Sequence, residues 1–308
     1  MLVAAPERWD EACFAVPAVR AIRASGLSVG VICRELQQEF WSTLLEVEVI
    51  GFLQKTKAKQ LATQLGADWQ ASLVWEPGMV ADAVSLTRVP RRLGPDDRKL
   101  NKRLTHPLGF STGPLDHRVR FYLSAVEEMG IHTTKPEFFA PASVGIAPAN
   151  DTVLLSPDSD FGPSHEWSLE GWLEIAENLI EKNCRVAVAG ITGGRGLGET
   201  LAAKFGDEVK FFHATPFAGA LPHLAEYSLC IAADGSLPHL AGHVGATCIT
   251  LFGPNDPAWK RPLGRRHAVV RRHVECAPCL LAKCPLDRRC QNELTPARVW
   301  SAVLEKLG

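Results

Sequence analysis

Asp234, Gly235, Ser236 and His239 stand between two short apolar runs, residues 229–232 and 247–252. Ser236 suits a helix N-cap, and Pro238 is tolerated in a first turn, where no donor is needed. Strand, tight turn, helix and strand within about 25 residues make one βαβ unit of a parallel sheet. The helix start then lies beyond the strand's carboxyl edge, where open α/β sheets bind ligands and free N–H groups suit a phosphate. A second polar group, Asp10 and Glu11, lies at the first strand-to-helix turn. These carboxylates could remove a proton from a bound hydroxyl, or simply favour a helix start. A third is Cys276-x2-Cys279-x4-Cys284-x5-Cys290. Four close thiolates could form a tetrahedral zinc site, although the spacing is not that of paired C-x2-C motifs, and thiols or disulfides stay open.

The positioning elements follow from periodicity. Residues 1–5 read as a strand and 12–24 as a helix. Strands at 27–33, 47–50 and 72–75 then alternate with helices at 35–45 and 57–65. That pace of alternation specifies a doubly wound parallel sheet. Residues 87–107 carry Arg88, Arg91, Arg92, Arg98, Lys99, Lys102 and Arg103 in a segment broken by Pro and Gly. It suits an anionic acceptor or a phosphate-rich membrane surface as well as plain solvent. A helix from 116 to 129 and an aperiodic stretch at 138–151 complete the half. The expected organisation is therefore a domain at 1–137, a linker at 138–151 and a domain at 152–308.

The second half repeats the alternation. A strand at 152–155 leads through Ser156 and a polar loop into an amphipathic helix containing Trp172. Another strand at 185–189 runs into Gly190-Ile191-Thr192-Gly193-Gly194-Arg195-Gly196-Leu197-Gly198. This turn invites a phosphate-loop reading but matches neither dinucleotide nor Walker spacing. Thr215-Pro216 reads as a helix start, as does Thr295-Pro296 for a closing helix.

Composition narrows the function. Lys and Arg total 33 against 34 Asp and Glu, a net charge of −1, so no global field recruits nucleic acid. Apolar content of 46% is ordinary for a globular protein, and no apolar run is long enough to span a bilayer. The opening MLVAAPERWDEA meets proline and charge too early for a signal peptide, which makes a cytoplasmic location the expectation.

The stretch Asp-Gly-Ser-x-x-His, followed by a strand ending Leu-Phe-Gly-Pro-Asn-Asp-Pro, resembles the nucleotide-sugar site of the bacterial heptosyltransferases, glycosyltransferase family 9. The family order is Asp-Ser/Thr-Gly-x-x-His, so Gly235 and Ser236 stand reversed here. DEACFAVPAVRA resembles the family's first turn, which places its acidic residue, the proposed general base, on Glu11 and its glycine on Asp10. Aligned on Trp167, His165 falls where the family has a lysine near the donor phosphates. Lys260 and Arg261 are candidates to restore that charge. Many members carry a similar cysteine segment, here Cys276, Cys279, Cys284 and Cys290, which the resemblance makes a structural clip with zinc as one option.

The resemblance implies two facing Rossmann-like domains of the GT-B architecture. The acids near residue 10 would look across an interdomain cleft towards Asp234 and His239. It implies inverting, metal-independent transfer of a sugar from ADP-heptose or a related nucleotide sugar to a lipopolysaccharide-type or other glycan acceptor. No catalytic cofactor is expected, and a peripheral contact with the inner membrane is compatible with the basic segment. Ser156, His165, Asp234, Gly235, Ser236, His239, Gly253, Asn255 and Lys260 make up the implied donor site, with Glu11 or Asp10 as base. The missing lysine and the reversed Gly-Ser pair motivate an alternative, a catalytically weakened binding or scaffold protein. A sugar epimerase or nicotinamide dehydrogenase on paired Rossmann domains is a third reading. The absent dinucleotide fingerprint opposes the dehydrogenase.

Overall fold

The computed structural model describes residues 1–191 and 194–307. Thr192 and Gly193 of the glycine-rich turn lie outside the described residues. The chain divides into two compact units, Met1–Ala140 and Pro141–Gly308.

The first unit runs β1 (Leu2–Ala4), α1 (Trp9–Ala24), β2 (Val29–Arg34), α2 (Gln38–Ser42), β3 (Val47–Phe52), α3 (Ala58–Leu65), β4 (Ala71–Leu73), α4 (Met79–Leu86), β5 (Arg91–Pro95), β6 (His106–Leu108) and α5 (Val119–Glu128). Its strands form one parallel six-stranded sheet in the order β3-β2-β1-β4-β5-β6. α1 begins at Trp9, earlier than the apolar period suggests, so Asp10 and Glu11 sit in its first turn rather than in a loop. The basic stretch at 87–107 is not a plain loop either. β5 and β6 extend the sheet: Pro107 is tolerated on the edge strand β6, and Pro95 is the last residue of β5, past its pairing with β4. Arg92 donates to the Arg103 carbonyl at 2.8 Å and Arg103 pairs with Asp82, whereas Arg88, Arg91, Arg98, Lys99 and Lys102 are exposed.

The unit ends later than the expected linker boundary. Arg20 on α1 donates to the carbonyls of Phe138 and Ala140, and Phe138 is buried, which ties that short turn to the first core.

The second unit runs β7 (Ala149–Ser156), α6 (Leu169–Glu181), β8 (Arg185–Gly190), α7 (Leu197–Phe205), β9 (Lys210–His213), α8 (Leu221–Ala225), β10 (Tyr227–Ala233), α9 (Leu237–His243), β11 (Thr247–Phe252), α10 (Pro257–Lys260), β12 (Ala268–Arg271), α11 (Arg289–Asn292) and α12 (Pro296–Leu307). Its parallel sheet is ordered β12-β11-β10-β7-β8-β9. Leu155, Ile231 and Ile249 lie in register across β7, β10 and β11 and pack with Trp172 and Leu179 of α6 and Val299 and Val303 of α12. Trp167 stands edge-on to Trp172 at 5.6 Å. Thr215-Pro216 lies in the turn ahead of α8 and does not start that helix. Among the described residues no helix is long and apolar enough to cross a membrane.

Candidate functional site

In each sheet two adjacent strands send their following connections to opposite sides, which opens a crevice at their carboxyl ends. In the second sheet these strands are β7 and β10. Asp234 follows β10 and is fully buried. Its Oδ2 accepts from Asn255 Nδ2 at 2.6 Å and lies 3.0 Å from His165 Nδ1, which therefore carries the proton. The Asp234 carbonyl accepts from the Ser159 hydroxyl at 2.6 Å. Asp234 thus fastens the loops after β7, β10 and β11 together. Its Oδ1 and the hydroxyls of Ser156 and Thr250 are buried without hydrogen-bond partners among the described residues. Ser156 and Thr250 flank Ala232 in register, so this polar capacity gathers at the carboxyl edge. His239, on α9, is also buried.

Ser236 precedes α9 as expected, but its hydroxyl does not cap the helix. Its N–H and O–H both donate to Asp160, at 2.7 and 2.6 Å. The same contact explains the reversed Gly-Ser order. A Cβ on residue 235 would meet Asp160 Oδ1 at 2.7 Å, so only glycine fits beside that carboxylate. Gly235→Ala is therefore expected to expel Asp160 from Ser236 and destabilise the unit by about 1–3 kcal/mol. An unchanged urea midpoint would refute this packing.

The glycine-rich turn is served in the same way. Asp158 accepts from the N–H groups of Leu197, Gly198 and Ile191 at 2.9, 3.2 and 3.4 Å. A Cβ at Gly194 or Gly198 would stand 2.7 or 3.1 Å from Asp158 atoms. These glycines admit the chain's own carboxylate to the start of α7, the place a phosphate-loop reading gives to a phosphate. Sequence reasoning missed Asp158, Ser159 and Asp160. Their signal was a cluster of capping residues directly after a strand.

Residue 165 does not supply the expected cation at an open edge. His165 is buried, bound to Asp234, and edge-on to Phe161 at 5.6 Å. Lys260 lies over the other partner of that contact, with Nζ 5.4 Å from the Phe161 ring centre, a cation–π arrangement. Gly253 allows a close approach of Gln291, whose amide donates to the His165 carbonyl at 3.1 Å.

Glu166, also missed, is fully buried and accepts from the Ser159 N–H at 3.2 Å. Burial pushes its carboxyl above the ordinary glutamate range. A raised acid binds more protons folded than unfolded. Its penalty is therefore absent below the unfolded value of about 4.3 and grows as pH rises through the folded one. Glu166→Gln is expected to raise Tm at pH 7 and to make no difference near pH 4, as paired calorimetric scans would show.

The zinc expectation finds no support. Among the described residues no three His, Cys, Asp or Glu side chains gather as a metal site. The four cysteines differ in environment. Cys276 is exposed and Cys279 half-buried, Cys284 Sγ accepts from the Leu286 N–H at 3.4 Å, and Cys290 is buried where a Cβ on Gly253 would meet it. All are free thiols.

In the first unit the two turn carboxylates are both gripped by arginines. Asp10 is fully buried and accepts from Arg8 Nε and Nη2, each at 3.0 Å. Glu11 accepts from Arg118 Nε and Nη2, each at 3.0 Å, and from the Tyr122 hydroxyl at 2.7 Å. Burial first, and then the Glu11 charge, push the Tyr122 phenol well up, so it stays a donor. No sequence signal joins Glu11 to α5, because the partners lie more than a hundred residues apart.

Two Rossmann-like α/β units, each with a switch point at a carboxyl edge, define the GT-B architecture. The chain belongs to glycosyltransferase family 9 (heptosyltransferase), whose profile it matches over residues 126–289, more than half of its length. It is 30% identical over 119 residues to lipopolysaccharide heptosyltransferase 1 of Pseudomonas aeruginosa, 38% of this chain and 33% of that protein. It is 27% identical over 120 residues to lipooligosaccharide heptosyltransferase 2 of Haemophilus influenzae, 37% of this chain and 35% of that one. The matched region thus spans about a third of these relatives. The fold is similar to that of Escherichia coli ADP-heptose LPS heptosyltransferase II, with a TM-score of 0.79 at 17% identity over 99% of this chain and 98% of that one.

Proposed function

We propose that the protein is an inverting glycosyltransferase that moves a heptose, or a closely related sugar, from an ADP-linked donor to a lipopolysaccharide-type or other glycan acceptor, without a metal. The observation that carries this reading is the Asp234 junction. It lies inside the region matching the family and gathers the loops after β7, β10 and β11 at the second switch point. In the proposal Asp234, Gly235, Ser236 and His239 face the donor, with Ser156, Gly253 and Asn255 shaping the pocket. Lys260 stands in for the family lysine beside the diphosphate, whose charge grows as the sugar leaves, while His165 holds Asp234 in place. Glu11, with Asp10 beside it, takes the proton of the attacking acceptor hydroxyl. The exposed Arg88, Arg91, Arg98, Lys99 and Lys102 suit acceptor phosphates at the cytoplasmic membrane surface.

Thermal shift with a nucleotide series tests the donor. ADP at about a hundred times its Kd should stabilise the fold by about 2.7 kcal/mol, with UDP and GDP well behind. No response to any adenine nucleotide would sink the reading. Anomeric configuration in the product, followed by NMR with and without EDTA, tests inversion and metal independence.

A second reading, a binding or scaffold protein with weakened catalysis, draws on three contacts. Asp160 occupies the Ser236 N–H and O–H, Asp158 occupies the α7 start, and His165 is buried. Donor binding with no turnover, unaltered in Glu11→Gln and Asp10→Asn, would favour it.

A further inference from the structure

The strands that lead to Asp234 and Asn255 carry two cysteines that sugar transfer does not use. Leu229, Ile231, Ile249 and Leu251 of β10 and β11 point into the core that contains Trp172 and Val299. Alternation turns Cys230 and Cys248 to the opposite face, beneath α9. The two are register partners on adjacent parallel strands, about 4.8 Å apart at the usual spacing and within the span of a disulfide. Both are free, fully buried thiols, and the Cys230 thiol donates to the Cys248 sulfur.

Their surroundings are polar. Cys248 Sγ donates to the Pro238 carbonyl, in the first turn of α9, at 3.1 Å. A Cβ on Gly242 of the same helix would stand 3.6 Å from that sulfur. The Cys248 N–H donates to His267 Nδ1 at 3.0 Å, and the Arg266 guanidinium donates to the Ala246 and Gly242 carbonyls. Burial opposes ionisation of Cys248, but Cys230, His267 and Arg266 together bring its thiol below the ordinary range. The bond to Cys248, and then burial, hold Cys230 well up, so Cys248 is the sulfur that loses its proton first.

We propose that Cys230 and Cys248 are a peroxide-sensing pair whose closure to a disulfide loosens α9 and the donor-facing residues that precede it. The Cys248 thiolate attacks one oxygen of hydrogen peroxide and the O–O bond breaks. The departing hydroxide takes up the proton Cys248 gave, and Cys248 is left as a sulfenic acid. The Cys230 sulfur then attacks Cys248, the S–O bond breaks, and hydroxide leaves as water with the Cys230 proton. Two thiols are oxidised and one peroxide is reduced to two waters. Closure draws the Cys248 sulfur towards β10, away from Gly242, and removes the hydrogen that served the Pro238 carbonyl. The pair is sealed from solvent, so the oxidant must be close to water in size. The effect on donor binding rests on the proposed function; the thiol chemistry and the loosening of α9 do not.

The full chain tests this directly. Trypsin releases residues 211–260 as one peptide whose only cysteines are Cys230 and Cys248. After peroxide, then alkylation in denaturant, that peptide should be lighter by two hydrogens and carry no alkyl group. Dithiothreitol should restore both alkylation sites, and oxidised glutathione, too bulky to enter, should leave both open. Amide exchange across α9 should quicken on oxidation, and the Kd for ADP should rise roughly tenfold, the equivalent of one hydrogen bond lost. Cys230→Ala should keep the reduced parent's exchange with and without peroxide, while Cys248→Ala should exchange fast without any oxidant. A peptide still alkylated at both sites after peroxide, an oxidised α9 that exchanges like the reduced one, or a Cys230→Ala chain that responds like the parent would overturn the proposal. A reduced chain that ignores ADP yet passes the mass and exchange tests would lose the donor reading and keep the switch. ADP binding untouched by a complete disulfide would keep the donor reading and overturn the link to it.

Discussion

Replacing Asp234 by alanine is expected to lower the stability of the second unit by about 3 kcal/mol and to abolish stabilisation by ADP. Two donors, the half-buried Asn255 Nδ2 and the buried His165 Nδ1, share its Oδ2. Each one left without an acceptor costs about 1–3 kcal/mol. At the usual sensitivity of a domain this size the melting temperature should fall by roughly 6–12 °C. Differential scanning calorimetry measures that loss, and adding ADP to the variant measures the other. Asp234→Asn keeps the shape and one acceptor oxygen, so it should recover part of the stability. An alanine variant that melts with the parent would show that the junction does not hold the loops. One that is destabilised but still responds fully to ADP would separate the junction from the nucleotide.

The second large effect is on turnover. Glu11→Gln should reduce kcat by about 10²–10⁴-fold, the usual contribution of a positioned general base, and leave the ADP-induced shift intact. Arg118 and Tyr122 fix the direction of this carboxylate, so some stability must go with it. Arg118→Lys is the control for that loss. It breaks the two-pronged contact but keeps both the positive charge and Glu11, and should retain far more activity than Glu11→Gln. If Glu11→Gln keeps its kcat while Asp10→Asn loses it, the proton passes to Asp10. If both variants turn over normally, neither residue is the base.

Much of the fold could be read from periodicity alone. β10, α9 and β11 were legible because apolar β-branched runs flank a helix marked by Ser236 and Pro238. β5 and β6 were not, since Pro95 and Pro107 look like interruptions until a strand end and a sheet edge accommodate them. The α7 start was hidden among glycines whose purpose, room for Asp158, depends on a residue in another loop. At the site the motif located Asp234, but local spacing carried no trace of its partners. Asn255 and His165 reach it from different strands' loops, as Arg118 and Tyr122 reach Glu11 from a distant helix. Hydrogen bonds across such separations depend on topology, which a linear pattern does not record.

The loop after β7 feeds two partners at once, Asp158 the turn before α7 and Asp160 the residue before α9. It therefore cannot be exchanged as an independent cassette. Grafting a lysine-bearing segment from a relative would strand both recipients together. Gly194, Gly198 and Gly235, shaped to admit those carboxylates, would then line voids. Any route from this chain to the lysine-bearing arrangement must rewrite three separated stretches in concert, and single substitutions along it begin with a loss.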